Sequence, residues 1–156
     1  MSDERVDLEL WLVRHGETTF SAEGTLAGWA EAPLSARGEG EARALAPLLD
    51  GRTFTGVWSS DLGRALTTAR LAWGEPKTDA RLREMSFGDL EGKRWSDLAP
   101  GTGEGIFGFC DFRAPGGESV AEVRERVLAF VTGLPAGRHL VFTHGGAIRV
   151  LTRDLG

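Results

Sequence analysis

Apolar and polar positions alternate in blocks along this chain. Leu8 to Val13 is a near-continuous apolar run broken only by Glu9, which predicts a buried strand. Ser35 to Leu49 then has helical character, with Ser35 as N-cap and Glu39 and Glu41 near the positive end of the helix dipole. Pro47 is expected to bend that helix or end it early. Phe54 to Trp58 predicts a second strand. Asp61 to Trp73 predicts a helix capped by Ser60 and stopped by Gly74, with Leu62, Ala65, Leu66, Ala69, Ala72 and Trp73 on one face. After Ser119, Val120, Val123, Val127, Phe130 and Val131 form a helical stripe, opened by a Ser119–Glu122 capping box and stopped by Gly133 and Pro135. Leu140 to Thr143 predicts a buried strand, and Ala147 to Leu155 the last helix. Between Pro76 and Gly117 the pattern is weaker. Arg81 to Glu84 is expected to be extended, Lys93 to Leu98 a short helix, and the glycines at 101, 103, 105 and 108 a loop. Strands alternating with helices predict an α/β fold with a largely parallel sheet and right-handed crossovers.

Length and composition narrow the class. At 156 residues the chain fits one domain, 1–156, large enough to fold without a disulfide or metal staple. Apolar residues are 41% and charged residues 26%, as in a globular protein. No apolar run reaches the ~18 residues of a membrane span. The polar, acidic start Met-Ser-Asp-Glu-Arg does not read as a secretory signal. Cys110 is the single cysteine, so no disulfide framework is possible and a reducing, cytoplasmic setting is expected. A net charge of -5 argues against a broad nucleic-acid surface. Arginine outnumbers lysine 16 to 2, with no Asn, Gln or Tyr, which reads as coding bias.

Three predicted strands end in polar clusters: Arg14-His15-Gly16-Glu17-Thr18, Ser59-Ser60-Asp61 followed by Arg64, and Thr143-His144-Gly145-Gly146. Open α/β sheets bind ligands outside the carboxyl ends of their strands. If these strands are neighbours, two histidines and two arginines converge, a set that suits a phosphoryl group. Helix N-termini beside Ser60 and Gly145 add backbone donors. Taken alone, His15 reads equally well as a structural histidine, Arg64 as a solvated helix residue, and His139 as surface or structural. Gly103-Glu-Gly105-Ile-Phe-Gly108 follows no strand and reads as a chance match to a dinucleotide fingerprint. One cysteine and no His-Glu-x-x-His leave no zinc motif. Trp29, Trp58, Trp73 and Trp95 read as core or pocket-wall residues.

The whole order of motifs resembles the histidine phosphatase superfamily, the phosphoglycerate-mutase-like proteins. Arg-His-Gly-Glu-Thr at 14–18, Leu-Ala-Gly-Trp at 26–29, Pro-Leu-Ser-Ala-Arg-Gly at 33–38, Ser-Ser-Asp-Leu-Gly-Arg-Ala at 59–65, Phe-Gly-Asp-Leu-Glu-Gly at 87–92, Pro-Gly-Gly-Glu-Ser at 115–119 and Thr-His-Gly-Gly at 143–146 carry the resemblance. It implies a three-layer α/β/α sandwich with a mostly parallel sheet. It implies His15 as nucleophile through a phosphohistidine, its second ring nitrogen donating to a backbone carbonyl. Arg14, Arg64 and His144 would hold the phosphoryl oxygens. Glu84 would be the acid and base, a role needing a raised pKa, with Glu91 second in line. Ser21, Ala27, Gly28 and Gly145 would line the substrate pocket. No metal or other cofactor is implied, because fixed cations take magnesium's place.

Two departures stand out. Ser21 replaces a common Asn, and relatives continue into at least one more strand where this chain stops at Gly156, one helix after His144. The implied activity is a phosphatase for small phosphorylated metabolites, with a cofactor-dependent phosphoglycerate mutase and a non-catalytic phospholigand-binding module as alternatives. The motifs at 87–92 and 115–119 are similar to those of α-ribazole-5′-phosphate phosphatases. Neither nucleic acid nor membrane is an expected partner, and the oligomeric state stays open, a homodimer included.

Overall fold

The strands are β1 (Leu8–Arg14), β2 (Gly56–Ser59), β3 (Lys77–Thr78) and β4 (Gly137–Thr143). In the computed structural model, which describes residues 7–156, they form one sheet in the order β1-β4-β2-β3, every pair parallel. The polar Met1–Arg5 start lies outside the described residues. The helices are α1 (Thr19–Ala22), α2 (Ala36–Leu49), α3 (Gly63–Ala72), α4 (Thr102–Gly108), α5 (Val120–Thr132) and α6 (Gly145–Leu155).

Strand side chains alternate between faces, and both faces here are apolar. Trp11, Val13, Val57, Leu140 and Phe142 pack with Leu45 and Leu49 of α2 and Ala69 and Ala72 of α3. Leu10, Leu12, Trp58 and Val141 pack on the other side with Val123, Val127 and Phe130 of α5 and Ala147, Val150 and Leu151 of α6. The result is the expected three-layer α/β/α sandwich.

Several local expectations are corrected. Pro47 does not end α2 early: it lies in the last turn, and the helix runs on to Leu49. The second strand begins at Gly56 rather than Phe54. The third helix begins at Gly63, with Leu62 in the cap position, so Ser60 is not its cap. Only half of the Ser119 box forms: the Ser119 hydroxyl accepts from the Glu122 amide, while the Glu122 carboxylate pairs with Arg113. A full box appears instead at Thr18 and Ser21, opening α1. Residues Ala80–Leu82 form a 3-10 turn at the start of the segment expected to be extended, and the short helix expected over 93–98 forms as a single 3-10 turn, Trp95–Asp97.

The largest departure is α4, which occupies the glycine-rich stretch expected to be a loop. Its own propensity is poor, since each interior glycine costs roughly 1 kcal/mol. Tertiary contacts outweigh that cost. Ile106 is buried in the core, and the ring of Phe112 would lie 2.9 Å from a Cβ at residue 105. Arg149 and Arg153 of α6 donate to the Phe107, Gly108 and Phe109 carbonyls at the end of α4. His139 is also resolved. It is buried, accepting from the Trp58 indole and reaching the Pro135 carbonyl at 2.9 Å, so it is structural and not a surface residue.

Among the described residues no helix is long and apolar enough to cross a membrane. The last five residues of β4 are buried. Phe142 is fully buried between the sheet and α2 and α3. Phe142→Ala is expected to destabilise the protein by about 3–5 kcal/mol, read as a lower midpoint in urea unfolding.

Candidate active site

Strand register brings the distant motifs together. Arg14 of β1 lies opposite Thr143 of β4, and Ser59 of β2 opposite Phe142. The next residues, His15, His144 and Ser60, therefore leave the sheet side by side at its carboxyl edge. The His15 amide donates to the Thr143 carbonyl at 3.2 Å, and the Ser60 amide to Phe142 at 2.9 Å. The two imidazoles meet edge to face, centroids 5.1 Å apart. Thr68, fully buried on α3, ties the loop in: its hydroxyl accepts from the Gly16 amide and donates to the Arg64 carbonyl.

Each histidine has a defined tautomer. His15 Nδ1 lies 2.7 Å from the Gly16 carbonyl. A carbonyl only accepts, so Nδ1 carries the proton and Nε2 keeps a free lone pair. Burial pushes the His15 pKa down to about 4, the charges of Arg64 and Arg14 add to that, and the Gly16 bond opposes it. His144 is fully buried, and its Nε2 is 2.8 Å from the Ser60 hydroxyl. That hydroxyl accepts from the Leu62 amide and has no acceptor for its own proton among the described residues other than Nε2, so it donates there and the His144 proton sits on Nδ1. Burial, then the Arg64 charge, holds His144 well below the usual histidine pKa. Its Nδ1 finds no protein partner among the described residues, a buried polar atom left unsatisfied on a ring that meets His15.

Arg64 is only 2% exposed. Its guanidinium donates to the Gly28 carbonyl at 2.5 Å and to Ala30 at 3.0 Å, which pins the 27–30 turn beside the histidines. Gly28 adopts φ +56, and a Cβ there would collide with the Glu91 carboxylate. Arg14 is exposed, with no hydrogen-bond partner among the described residues, and its guanidinium lies alongside Gly145. Ser21 reaches the cleft, but its hydroxyl donates to the Thr18 carbonyl and accepts from the Thr18 amide. A phosphate bond from Ser21 would have to replace that local pairing.

Glu84 is held at the mouth of α6. One carboxylate oxygen accepts from the Met85 amide at 2.8 Å and the other from the Gly146 amide at 3.3 Å. Gly146 must be glycine here, because a Cβ would overlap that carboxylate. The rival carboxylates are tied up elsewhere. Glu91 accepts from the Trp29 and Phe87 amides, Glu17 from the Ser35 hydroxyl, and Glu118 pairs with Arg126. Arg126, which sequence reasoning did not single out, is the main support of this segment. It donates to the Arg81, Arg83 and Glu84 carbonyls and to both Glu118 oxygens. Its place on the polar edge of an amphipathic helix looked like an ordinary solvated arginine. Thr68 was missed in the same way, and Ser60 was read as a helix cap and not as the partner of His144, since short hydroxyls give no pattern in sequence.

Arg14, His15, Ser21, Ala27, Gly28, Arg64, Glu84 and Gly145 all line one cleft of about 420 Å³. His144 lies under that lining, against His15. A larger hollow of about 660 Å³ runs between α2 and the end of α3, but it holds no histidine and no converging cations, so the chemistry belongs to the smaller cleft. Among the described residues no three His, Cys, Asp or Glu side chains gather as metal ligands would. What the cleft offers is a neutral nucleophilic nitrogen, fixed cations, a neutral donor and one carboxyl. Those suit transfer of an anionic group to nitrogen.

Proton titration of the site has a definite sign. As pH falls, the unfolded chain protonates this imidazole near the ordinary value of 6.5, the folded protein only at about 4. Stability is therefore complete above about pH 6.5 and is lost progressively down to about pH 4. NMR titration of His15 is expected to show a midpoint at about 4. Urea unfolding should show lower stability at acidic than at neutral pH, and His15→Ala should lessen that difference.

Comparison with known proteins bears on this arrangement. Residues 10–156 match the family model described as histidine phosphatase superfamily (branch 1). The protein named Probable phosphoglycerate mutase GpmB from Salmonella choleraesuis (strain SC-B67) is 41% identical over 95% of this chain and 74% of its own. The crystal structure of phosphoglycerate mutase from Thermus thermophilus superposes with a TM-score of 0.86 at 47% identity, over 94% of this chain and 84% of that one. A protein of Escherichia coli K-12, provisionally named an alpha-ribazole-5'-P phosphatase, superposes with a TM-score of 0.82 at 33% identity, over 96% and 80%. A cleft with this cluster of histidines and arginines, on a chain matched almost throughout by one family model, belongs to the histidine phosphatase superfamily, branch 1.

Proposed function

We propose that this protein hydrolyses small phosphomonoesters through a phosphohistidine on His15, without a metal ion. The observation that carries the reading is the His15 tautomer: Nδ1 bound to the Gly16 carbonyl, Nε2 free, in a cleft with Arg14 and Arg64. In the first step Nε2 attacks phosphorus and the ester P–O bond breaks, its electron pair leaving with the alkoxide. Protonated Glu84 gives its proton to that oxygen. In the second step water attacks phosphorus, Glu84 takes a proton from it, and the N–P bond breaks with its pair returning to Nε2. Arg14, Arg64 and the Nδ1 proton of His144 stabilise the charge on the phosphoryl oxygens throughout. A metal is dispensable because these fixed cations supply the positive charge.

The substrate in this reading is a small phosphorylated metabolite, and a cytoplasmic setting agrees with the lone, exposed Cys110. Relatives named as phosphoglycerate mutases favour a second reading, in which the phosphoryl group returns to a bound intermediate instead of water. Assaying 3-phosphoglycerate for mutase product beside phosphate release separates the two.

His15→Ala is expected to abolish phosphate release from p-nitrophenyl phosphate, and EDTA to leave wild-type activity unchanged. Wild-type activity in the His15 variant would overturn the nucleophile assignment. Glu84→Gln should slow alkyl esters by about 10²–10⁴-fold, the usual worth of general acid catalysis, and slow aryl esters less. Equal slowing of both classes would rule out the acid role.

A further inference from the structure

The phosphoryl-binding residues account for only part of the cleft. Most of the rest is apolar: Leu26, Phe87, Trp95, Ile106, Phe107 and Phe109. Four of these are buried in the core, but Trp95 is only half-buried and Phe107 is 67% exposed. Their rings stack, with centroids 5.1 Å apart and planes at 25°. Phe107 is held in this exposed place. It sits near the end of α4, where Arg149 and Arg153 grip the carbonyls of residues 107 to 109. Phe109 next to it takes a left-handed backbone (φ 48), a conformation that costs a non-glycine residue about 1–2 kcal/mol. Strain of that kind persists only where surrounding contacts over-determine it.

The same wall is poor in charge. Outside Arg14, Arg64 and Glu84, Arg149 is the one charged residue lining the cleft among the described residues. Its guanidinium is committed to the Phe107 carbonyl and lies 5.5 Å from the Phe109 ring centre. A short leaving group bearing a carboxylate would meet no unengaged cation here. A flat uncharged ring would meet an aromatic face already fixed in position.

We infer that the leaving-group half of the cleft is an aromatic subsite, which takes a flat, uncharged ring against Phe107 and Trp95. Resting on the phosphatase reading, this assigns the substrates as phosphomonoesters of ring-bearing alcohols in preference to short carboxylated ones. One offset stack is worth about 1.4 kcal/mol at the upper end, or about tenfold in binding.

The test compares naphthylmethyl phosphate with glycerol 3-phosphate and 3-phosphoglycerate, all esters of alkyl alcohols, so that leaving-group acidity does not decide the outcome. Wild type is expected to favour the naphthylmethyl ester about tenfold in kcat/KM, mainly through KM. Phe107→Ser should erase most of that ratio, and Phe107→Leu, which keeps apolar bulk without a ring face, should erase it nearly as well. Equal kcat/KM across the panel, or a ratio unchanged by Phe107→Ser, overturns the aromatic subsite while His15-dependent hydrolysis stands. Calorimetry with unreactive naphthylmethylphosphonate and methylphosphonate reads the subsite without turnover. If no ester is hydrolysed, tighter binding of the naphthyl ligand that Phe107→Ser abolishes upholds the subsite and rejects the phosphatase. Equal binding of both phosphonates rejects the subsite.

Discussion

The parallel pairing of β1 with β4, and of β4 with β2, is the constraint on which the site depends. Pairing Arg14 with Thr143 and Ser59 with Phe142 brings three strands to their carboxyl ends at one level. A slip of one residue would send Trp11, Val13, Leu140 and Phe142 to the opposite face of the sheet. Both faces are packed, so the register is held by the core. The cluster of His15, His144 and Ser60 is thus set by apolar packing in the strands that lead to it.

Within that frame, burial does what a single residue could not. Two imidazoles share a small space with two guanidinium groups, an arrangement that would repel if the histidines were charged. Burial and the arginine charges keep both rings neutral. The Gly16 carbonyl and the Ser60 hydroxyl then dictate which nitrogen of each ring carries the proton. One ring is left with a free lone pair and the other with a free N–H. Arg64 is also desolvated, which lowers its pKa, while the Glu84, Glu31 and Glu91 charges raise it again. Its bonds to Gly28 and Ala30 satisfy the fork and shape the turn beside the site.

Arginines outside the cleft hold the segment that local propensity leaves undecided. Arg126 gathers the carbonyls of Arg81, Arg83 and Glu84 together with the Glu118 carboxylate, which seats Glu84. Arg149 and Arg153 cap the end of α4 and so place the aromatic wall. A planar guanidinium with several donors suits this role better than a lysine ammonium. The arginine-rich composition, read in the sequence as coding bias, supplies the clamps.

Much was legible along the chain because it is local. Apolar periodicity placed β1, β4, α2, α3 and α5 within a few residues, since each element must bury one face or both. The polar clusters at strand ends singled out Arg14, His15, Arg64 and His144 as candidates, and Glu84 came from the family resemblance alone. The glycine-rich α4, the second role of Ser60, the place of Thr68 and the grip of Arg126 were not legible. In each of these, a partner some 40 to 80 residues away outweighs what the neighbouring residues prefer. The sequence by itself determined most of the strands and helices, because periodicity acts over a turn or a strand, and its order of motifs marked the candidate site residues. Only the tertiary structure decided which nitrogen is free, which carboxylate faces the cleft and what lines the rest of it, because those depend on hydrogen bonds and burial between segments remote in the chain.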